Sequence, residues 1–182
     1  MLTRREVEEH RQDAARRLAE IGTVLAPEER ETIEIVDLGL GSFETEGLAL
    51  VVYVNTDRYC AKELVLRPGQ TCPQHRHPPV GVSPGKMETF RCRAGRVFLY
   101  VEGTPTARRQ AAPPARSARY YTVFHEIVLE PGQQHTIPSD TWHWFQGGPA
   151  GAIVSEFSSP NTDEHDVFVD PRIVRAPVIA ED

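Results

Sequence analysis

The hydrophobic pattern divides the chain into a helical start and a long region of strands. Over residues 3–22 the apolar positions recur at helical spacing on one broad face, formed by Val7, Ala14, Ala15, Leu18 and Ile21. Thr3 is a suitable N-cap residue, and the segment is rich in Glu, Arg and Ala. The pattern predicts a helix over 3–22, and Pro27 stands where a second helix can begin.

From Ile33 onward, short β-branched and aromatic runs alternate with turns that contain Gly, Pro, Asn or Asp. The runs are IEIVDLG, LALVVYVNTD, AKELVLRPGQ, ETFRCRAG, RVFLYVEG, YTVFHEIVLEPGQ, HTIPSD, TWHWFQGG and AIVSEFSS. Many short strands at this spacing are typical of an all-β sandwich or barrel. We predict one domain, with a helical segment at 1–30, a barrel at 31–175 and a C-terminal tail at 176–182.

One stretch of low complexity interrupts the strands. TPTARRQAAPPARSAR, residues 104–119, contains four arginines: Arg108, Arg109, Arg116 and Arg119. The general behaviour of loops favours a solvated loop here, and the alternative is an anion-binding lid.

The composition of the chain narrows the classes of ligand and partner that we expect it to bind. The formal net charge of −6 argues against nucleic acid or an anionic membrane and favours a small neutral or weakly polar ligand. Cys60, Cys72 and Cys92 form no C-x-x-C pair, which suits free thiols in a reducing cytoplasm. The charged N-terminus does not read as a signal peptide, and no apolar run reaches about 18 residues. We therefore expect a cytoplasmic protein with no membrane partner.

Strand alternation brings candidate metal ligands together. Residues i and i+2 of a strand point to the same face, so His75 and His77 point together. Glu88 begins the next apolar run, and His143 lies between two tryptophans that must face the other way. Three imidazole nitrogens and one carboxylate oxygen suit Mn, Fe, Co, Ni or Zn. The alternative is a pair of surface histidines followed by an unrelated glutamate.

The spacing around the first three ligands resembles the first motif of the cupin family. A glycine, five residues and His75-x-His77 match its beginning, and Glu88, six residues and Gly95 match its end. The gap between His77 and Glu88 is longer than usual. We interpret PPVGVSPGK as an insertion that delays the third ligand and delivers Lys86 to the rim of the pocket.

The second cupin motif is matched around His143. GQQHTIPSDTWHWFQG has its first glycine, Pro138 and His143 in the expected places. Asp140 replaces the usual Gly, and Gly147 replaces the usual Asn. Both are turn-forming positions, so these departures concern loop geometry rather than the ligands. The resemblance implies a single cupin (jelly-roll) β-barrel with an N-terminal helical extension.

A narrower resemblance covers residues 30 to 175. VYVNTDRYCAKELVLRPGQTCPQHRHPP, PGKMETFRCRAGRVFLYVEG, HTIPSDTWHWFQGG and AIVSEFSSPNTDEHDVFVDPRIVR together resemble the D-lyxose isomerase family. The resemblance implies a homodimeric, manganese-dependent enzyme that interconverts D-lyxose and D-xylulose, with D-mannose and D-fructose as further substrates. Carried over residue by residue, its metal ligands are His75, His77, Glu88 and His143.

Isomerisation of an aldose moves a proton between adjacent carbons through an enediol, which needs a base and an acid beside the metal. In AIVSEF, Glu156 shares a face with Ala152 and Val154, and Lys86 stands two residues before Glu88. We hypothesise that Glu156 is the base at carbon and that Lys86 handles the oxygen proton, although the roles can be swapped. A nearby cation is expected to lower the pKa of Lys86. The alternatives are a structural carboxylate paired with an Arg and a solvated loop lysine.

Four further residues are candidate substrate contacts. Either Lys62 or Glu63 must face the interior of the barrel, and Lys62 is the candidate contact. Phe145 shares the face of His143 and can wall a sugar. His135 can line the pocket, with a packed or exposed histidine as the alternative. Asp166 can reach the mouth from the C-terminal arm, where Asp163 and Glu164 are expected to be solvated.

Two other functions fit the same ligand set. A cupin metal dioxygenase needs O2 and no flanking acid–base pair. A non-catalytic sugar-binding cupin binds its ligand without exchanging the C2 proton into solvent. The presence of both Lys86 and Glu156 favours the isomerase.

Overall fold

The structure is a computed structural model that describes residues 2–176 and 179–181. Part of the expected C-terminal tail, residues 177, 178 and 182, lies outside the described residues. The helices are α1 (Arg4–Glu20) and α2 (Pro27–Glu31). The strands are β1 (Glu34–Val36), β2 (Leu48–Asn55), β3 (Cys60–Leu66), β4 (Thr71–Arg76), β5 (Glu88–Val101), β6 (His125–Leu129), β7 (Gln134–Ile137), β8 (His143–Ser158) and β9 (Val167–Phe168). Ala118–Tyr120 and Asp163–His165 form short 3-10 turns.

The strands form one antiparallel sheet that curls around a hydrophobic interior. Its order is β1-β2-β3-β8-β4-β9, and β5 pairs with β6, β7 and β8. Inward-facing side chains alternate with outward-facing ones along each strand, so residues such as Leu50, Leu64 and Phe90 meet in a single core. The prediction of an all-β fold with an N-terminal helical extension is confirmed.

Two of the strands are longer than the sequence pattern predicts. ETFRCRAG and RVFLYVEG form the single strand β5, and TWHWFQGG and AIVSEFSS contribute to the single strand β8. The register shifts between Cys92 and Ala94 and again between Gly95 and Val97. Gly95 and Gly151 both have positive φ, and a Cβ on Gly95 would collide with the Gly151 backbone. The glycines between the runs therefore mark bulges that bend each strand rather than turns that end it.

The helix α1 covers part of the outer face of the sheet. Thr3 and Glu6 form a reciprocal capping box at its start. Its apolar face, including Ala14 and Leu18, packs against Val65 and Ile153. The predicted helix is confirmed. In the part of the chain that the structure describes, no helix has the length and apolarity needed to cross a membrane.

The arginine-rich stretch is only partly the solvated loop that we expected. Most of residues 104–110 are exposed, but Ser117 is buried and donates a hydrogen bond to Glu46 Oε2 over 2.9 Å. Arg116 donates to the Leu40 carbonyl over 2.7 Å. The segment that follows covers Trp144, which is fully buried on the outer face of β8. The second half of the stretch is therefore a packed cover, because Trp144 points outward and needs apolar neighbours.

Candidate active site

A cavity lined by both apolar and polar side chains lies inside the curled sheet. Its apolar lining comes mainly from the first three strands and the loop after β1, and includes Val36, Leu38, Leu48, Leu50 and Leu64. The rest of the lining is dominated by charged side chains and histidines. A cavity that joins apolar walls to a few convergent polar groups is typical of a small-molecule site.

Strand pairing brings the four candidate metal ligands together. His75 on β4 lies directly opposite His143 on β8, and Glu88 begins β5, which pairs with the other side of β8. His77 follows the end of β4 and points to the same side as His75. All four side chains are buried, and their ligand atoms lie within 4.8 Å of one another. The side chains of these four residues, from β4 and its end, β5 and β8, therefore meet at one point.

The outer nitrogen of each histidine is held by a hydrogen-bond acceptor. His75 Nδ1 lies 2.8 Å from the Pro73 carbonyl, and His143 Nδ1 lies 2.9 Å from the Thr141 carbonyl. A carbonyl oxygen can only accept, so each Nδ1 donates to its carbonyl and each Nε2 is the nitrogen left for the cluster. His77 Nδ1 lies 2.5 Å from Asp166 Oδ1. Metal-binding histidines commonly make such a hydrogen bond through the ring nitrogen that does not bind the metal.

The inner atoms of the cluster fit a cation. His143 Nε2 lies 2.9 Å from Glu88 Oε1, and His77 Nε2 lies 3.4 Å from the same oxygen. All three atoms are buried, yet none has a hydrogen-bond partner of normal geometry. Buried polar atoms left unpartnered are costly, and a divalent ion coordinated by them removes that cost. The buried His/Glu cluster can therefore hold a divalent metal ion with nitrogen and oxygen ligands.

Electrostatics at the cluster also favour positive charge. Burial alone would raise the pKa of Glu88, but Lys86 and His77 hold it well below its usual range. Burial alone would lower the pKa of His77, but Glu88 and Asp166 raise it to about 9. Burial and the neighbouring histidines lower the pKa of His75 well below its usual value. An ionised Glu88 beside a neutral His75 leaves a negative site, and a proton or a metal ion can balance it.

The insertion between His77 and Glu88 carries Lys86 into the cavity. Val80 and Ser83 form a tight antiparallel bridge, and Gly85 has a φ of 95°. Ser139 Oγ donates to the Gly85 carbonyl over 2.9 Å, which ties the insertion to the loop before β8. Lys86 is only 4% exposed, so it lies deeper than the rim position that the sequence suggested.

Lys86 joins the metal cluster to the candidate base. Its Nζ lies 2.7 Å from Glu88 Oε2 and 2.6 Å from Glu156 Oε1. Burial alone would lower the pKa of Lys86, but Glu156 and Glu88 raise it well above its usual value. The lowering of the Lys86 pKa that we expect from a bound cation stays a prediction, and the two carboxylates act against it. Lys86 is a protonated group held between a candidate metal ligand and a second carboxylate.

Lys62 faces the interior, and it meets an acid that the sequence did not single out. Its Nζ lies 2.9 Å from Asp163 Oδ2 and 2.9 Å from Asn161 Oδ1. Glu63 faces outward and bonds to Ser155. Arg175 lies 2.8 Å from Asp163 Oδ2 on its other side. The expectation that Asp163 is solvated is wrong, because the 3-10 turn at Asp163–His165 directs its side chain against Lys62.

The other predicted substrate contacts differ in position. Phe145 and Asp166 line the cavity, and Asp166 contacts His77 there. His135 does not line the cavity in the described part of the chain. It pairs with Phe90 at the edge strand β7. The expectation that His135 contacts a substrate is therefore corrected. The motif spacing did not show that β7 lies at the edge of the sheet.

Sequence comparison identifies the family of the chain. A family model described as D-lyxose isomerase matches residues 26–182. The chain belongs to the D-lyxose isomerase family. It is 63% identical to the D-lyxose ketol-isomerase of Cohnella laeviribosi over 96% of each chain. It is 58% identical to the D-lyxose/D-mannose isomerase of Thermosediminibacter oceani over the full length of both.

A solved structure supports the fold of this D-lyxose isomerase family member. The L-ribose isomerase of Cellulomonas parahominis, solved with L-ribose, superposes with a TM-score of 0.79 over 98% of each chain at 17% identity. At that identity the likeness concerns the fold alone. The family resemblance drawn from the motifs is confirmed, and the relatives are isomerases rather than dioxygenases or binding proteins.

Proposed function

We propose that this protein is a metal-dependent aldose–ketose isomerase that interconverts D-lyxose and D-xylulose. D-mannose and D-fructose form a second substrate pair. The observation that carries the proposal is the position of Lys86 Nζ, within 2.7 Å of Glu88 and 2.6 Å of Glu156. This contact joins a candidate cation-binding cluster to a candidate acid–base pair inside one cavity.

We assign the metal ligands to His75, His77, Glu88 and His143. A divalent ion bound by them would stabilise negative charge that develops on the sugar oxygens. We propose Mn²⁺, with Co, Fe, Ni and Zn as alternatives that the same donor set accepts. Reconstitution of metal-free protein with each ion in turn, followed by a rate measurement, decides between them.

Glu156 and Lys86 move the protons. Glu156 takes the proton from C2 of the aldose, and Lys86 gives a proton to the carbonyl oxygen on C1, which yields the enediol. Glu156 then returns its proton to C1, and Lys86 recovers a proton from the oxygen on C2, which yields the ketose. Both groups finish in their starting state, and both are buried in the cavity.

The remaining cavity residues hold the sugar. Lys62 supplies an ammonium group to the hydroxyls, and Phe145 packs against the carbon chain. Asp166 borders the same cavity and supports His77. The position of each side chain in the lining supports these assignments.

One experiment tests the proposal directly. Metal-free protein is incubated with D-lyxose, Mn²⁺ is added, and D-xylulose is measured by chromatography. We expect the ketose to form only after the metal is added. Failure of the parent protein to form D-xylulose with any of the five metals contradicts the proposal.

Two further measurements separate the isomerase from its alternatives. An isomerase works equally well without oxygen, whereas a dioxygenase stops under anaerobic conditions. In D2O an isomerase exchanges the transferred hydrogen with solvent to some extent, whereas a sugar-binding protein leaves the sugar unchanged. Turnover under nitrogen, with deuterium in the recovered sugar, supports the isomerase.

We also propose a cytoplasmic homodimer. Tyr53, Tyr59 and Phe157 expose large aromatic surfaces of the kind that subunit interfaces cover. The three cysteines are buried and free, as expected in a reducing compartment. Sedimentation equilibrium measures the subunit number, and a single 20.4 kDa species contradicts the dimer.

A further inference from the structure

A second polar group lines the cavity beyond the acid–base pair. It consists of Lys62, Asp163 and Arg175. Asp163 Oδ2 is shared by Lys62 Nζ at 2.9 Å and by Arg175 Nη2 at 2.8 Å. Burial alone would raise the pKa of Asp163, but Lys86 and Lys62 hold it well below its usual range. The group is therefore an ionised carboxylate with a cation on each side.

This group lies one step further from the metal cluster than Lys86. Lys86 Nζ is 2.7 Å from Glu88 Oε2 and 3.9 Å from Asp163 Oδ1. The contacts thus run in order from Glu88 through Lys86 and Asp163 to Arg175. Under the proposed function, a sugar whose first two oxygens lie at the metal cluster and Lys86 can extend its later hydroxyls along this path.

The apolar part of the described lining offers no partners for those hydroxyls. Val36, Leu38 and Leu50 form the neighbouring part of the lining, and their side chains cannot form hydrogen bonds. A hydroxyl buried against them without a partner is unfavourable. Asp163 and Arg175 thus supply polar partners at a place where the apolar walls supply none.

Arg175 keeps more unused hydrogen-bond donors than Lys62, whose ammonium has one N–H left after its contacts with Asp163 and Asn161. Lys62 is engaged by Asp163 and Asn161, and Asp163 Oδ2 already receives two donors. A guanidinium has five N–H donors, and the contact with Asp163 uses one of them. The backbone before Arg175 is held in place, because Val174 N donates to the Leu38 carbonyl over 2.9 Å.

We propose that Arg175 is a specificity-determining residue that binds the terminal hydroxyl of the sugar, and that Asp163 positions its guanidinium. This inference rests on the proposed isomerase function. It assigns the C-terminal arm a direct part in substrate selection, with the unused N–H groups of Arg175 donating to the oxygen of the terminal CH2OH.

The test compares two sugars in one variant. Arg175→Met is assayed with D-lyxose and with 5-deoxy-D-lyxose, which lacks the terminal hydroxyl. We expect kcat/KM for D-lyxose to fall about 10- to 100-fold, as for loss of a hydrogen bond to a charged group. For the 5-deoxy sugar, the fall relative to the parent protein should be less than about threefold. Comparing variant with parent for each sugar cancels their different open-chain fractions.

Control variants make the outcome decisive. Arg96→Met removes an arginine from a surface ion pair with Glu130 and should leave both sugars unaffected. Arg175→Lys keeps the positive charge but has fewer N–H donors. We expect the same selective loss with D-lyxose, in a smaller degree. This variant replaces Arg175→Met in the test if the methionine variant does not fold. Equal losses with both sugars, or no loss with either, overturn the proposal. Failure of the proposed function is distinguishable, because the parent protein then converts neither sugar.

Discussion

At the residue scale, the protons on the imidazoles decide what the histidine cluster can bind. His75 and His143 are each oriented by a backbone carbonyl two residues earlier in their own segment. His77 is oriented instead by Asp166, which lies 89 residues away in the C-terminal arm. Two ligands are thus set by local backbone, and the third depends on how the arm packs.

This dependence predicts a metal-binding defect in Asp166→Asn. An asparagine cannot supply the negative charge that holds His77 Nδ1, so His77 becomes a weaker ligand. We expect the dissociation constant for Mn²⁺ to rise about 10- to 100-fold, measured by competition with a chelator. Glu164→Gln, at a side chain that is 70% exposed on the same arm, is the matched control. Unchanged Mn²⁺ affinity in Asp166→Asn contradicts the prediction.

Glu156→Gln separates catalysis from metal binding. The amide keeps the shape of the side chain but cannot accept a proton from carbon. We expect kcat to fall by about 10²- to 10⁴-fold, while the metal content measured by plasma mass spectrometry stays normal. Glu130→Gln, at a surface ion pair, should behave as the parent protein. Full activity in Glu156→Gln would remove this residue from the mechanism.

At the element scale, the turn that carries Lys86 is the most constrained connection near the site. Gly85 adopts a positive φ, and an added Cβ would meet the backbone oxygen of His77. The same turn receives a hydrogen bond from Ser139. The position of Lys86 therefore depends on Gly85, which has no side chain that could take part in the chemistry.

Gly85→Ala tests this constraint. The collision with His77 should shift the turn, move Lys86 away from Glu156 and lower activity by more than tenfold. We expect the free energy of unfolding to fall by about 1–3 kcal/mol, measured by urea denaturation. Gly81→Ala is the control, since Gly81 also has positive φ but open space around its Cβ position. Equal effects of the two substitutions would show that close approach to His77 is unimportant.

At the element scale, the hydrophobic pattern predicts the direction of strand side chains but not the length of every strand. Alternation correctly predicted which strand residues face inward, because the period of two is a local property of the backbone. It did not predict that β5 and β8 continue through their glycines. A glycine between two apolar runs is compatible with a turn or a bulge, and only pairing with neighbouring strands at Gly95 and Gly151 decides between them.

At the scale of the whole molecule, the metal cluster is supported by three parts of the sheet and by the arm. The cluster joins β4, β5 and β8, and β9 pairs with β4 at His75 and Phe168. A bound ion would therefore link segments that are distant along the chain. Metal binding is expected to stabilise the native state as a whole.

Removal of the metal tests this linkage. Binding only to the folded state adds about 2.7 kcal/mol at a metal concentration of 100 times Kd. For a chain of this size, that free energy corresponds to a rise in Tm of about 5–10 °C. We expect chelation to lower Tm by that amount and to abolish turnover, and added Mn²⁺ to restore both. An identical Tm in both states, measured by calorimetry, contradicts the prediction.

The sequence by itself determined the local features of the site. The shared direction of His75 and His77, the capped start of α1 and the common face of Glu156 and Val154 follow from backbone periodicity and local capping. The long gap before Glu88 also pointed to Lys86. Each of these inferences depends on residues close together in the chain, for which the direction of a side chain follows from its place in an element.

Only the tertiary structure decided which distant residues meet. Asp163 reaches Lys62 across 101 residues of sequence, Arg175 joins them from beyond β9, and Asp166 reaches His77 from the same arm. No periodicity reports such contacts, because they depend on the curl of the sheet and the path of the arm across the cavity. For the same reason, His135 on the edge strand and the packed half of the arginine-rich stretch were assigned only once the fold was known.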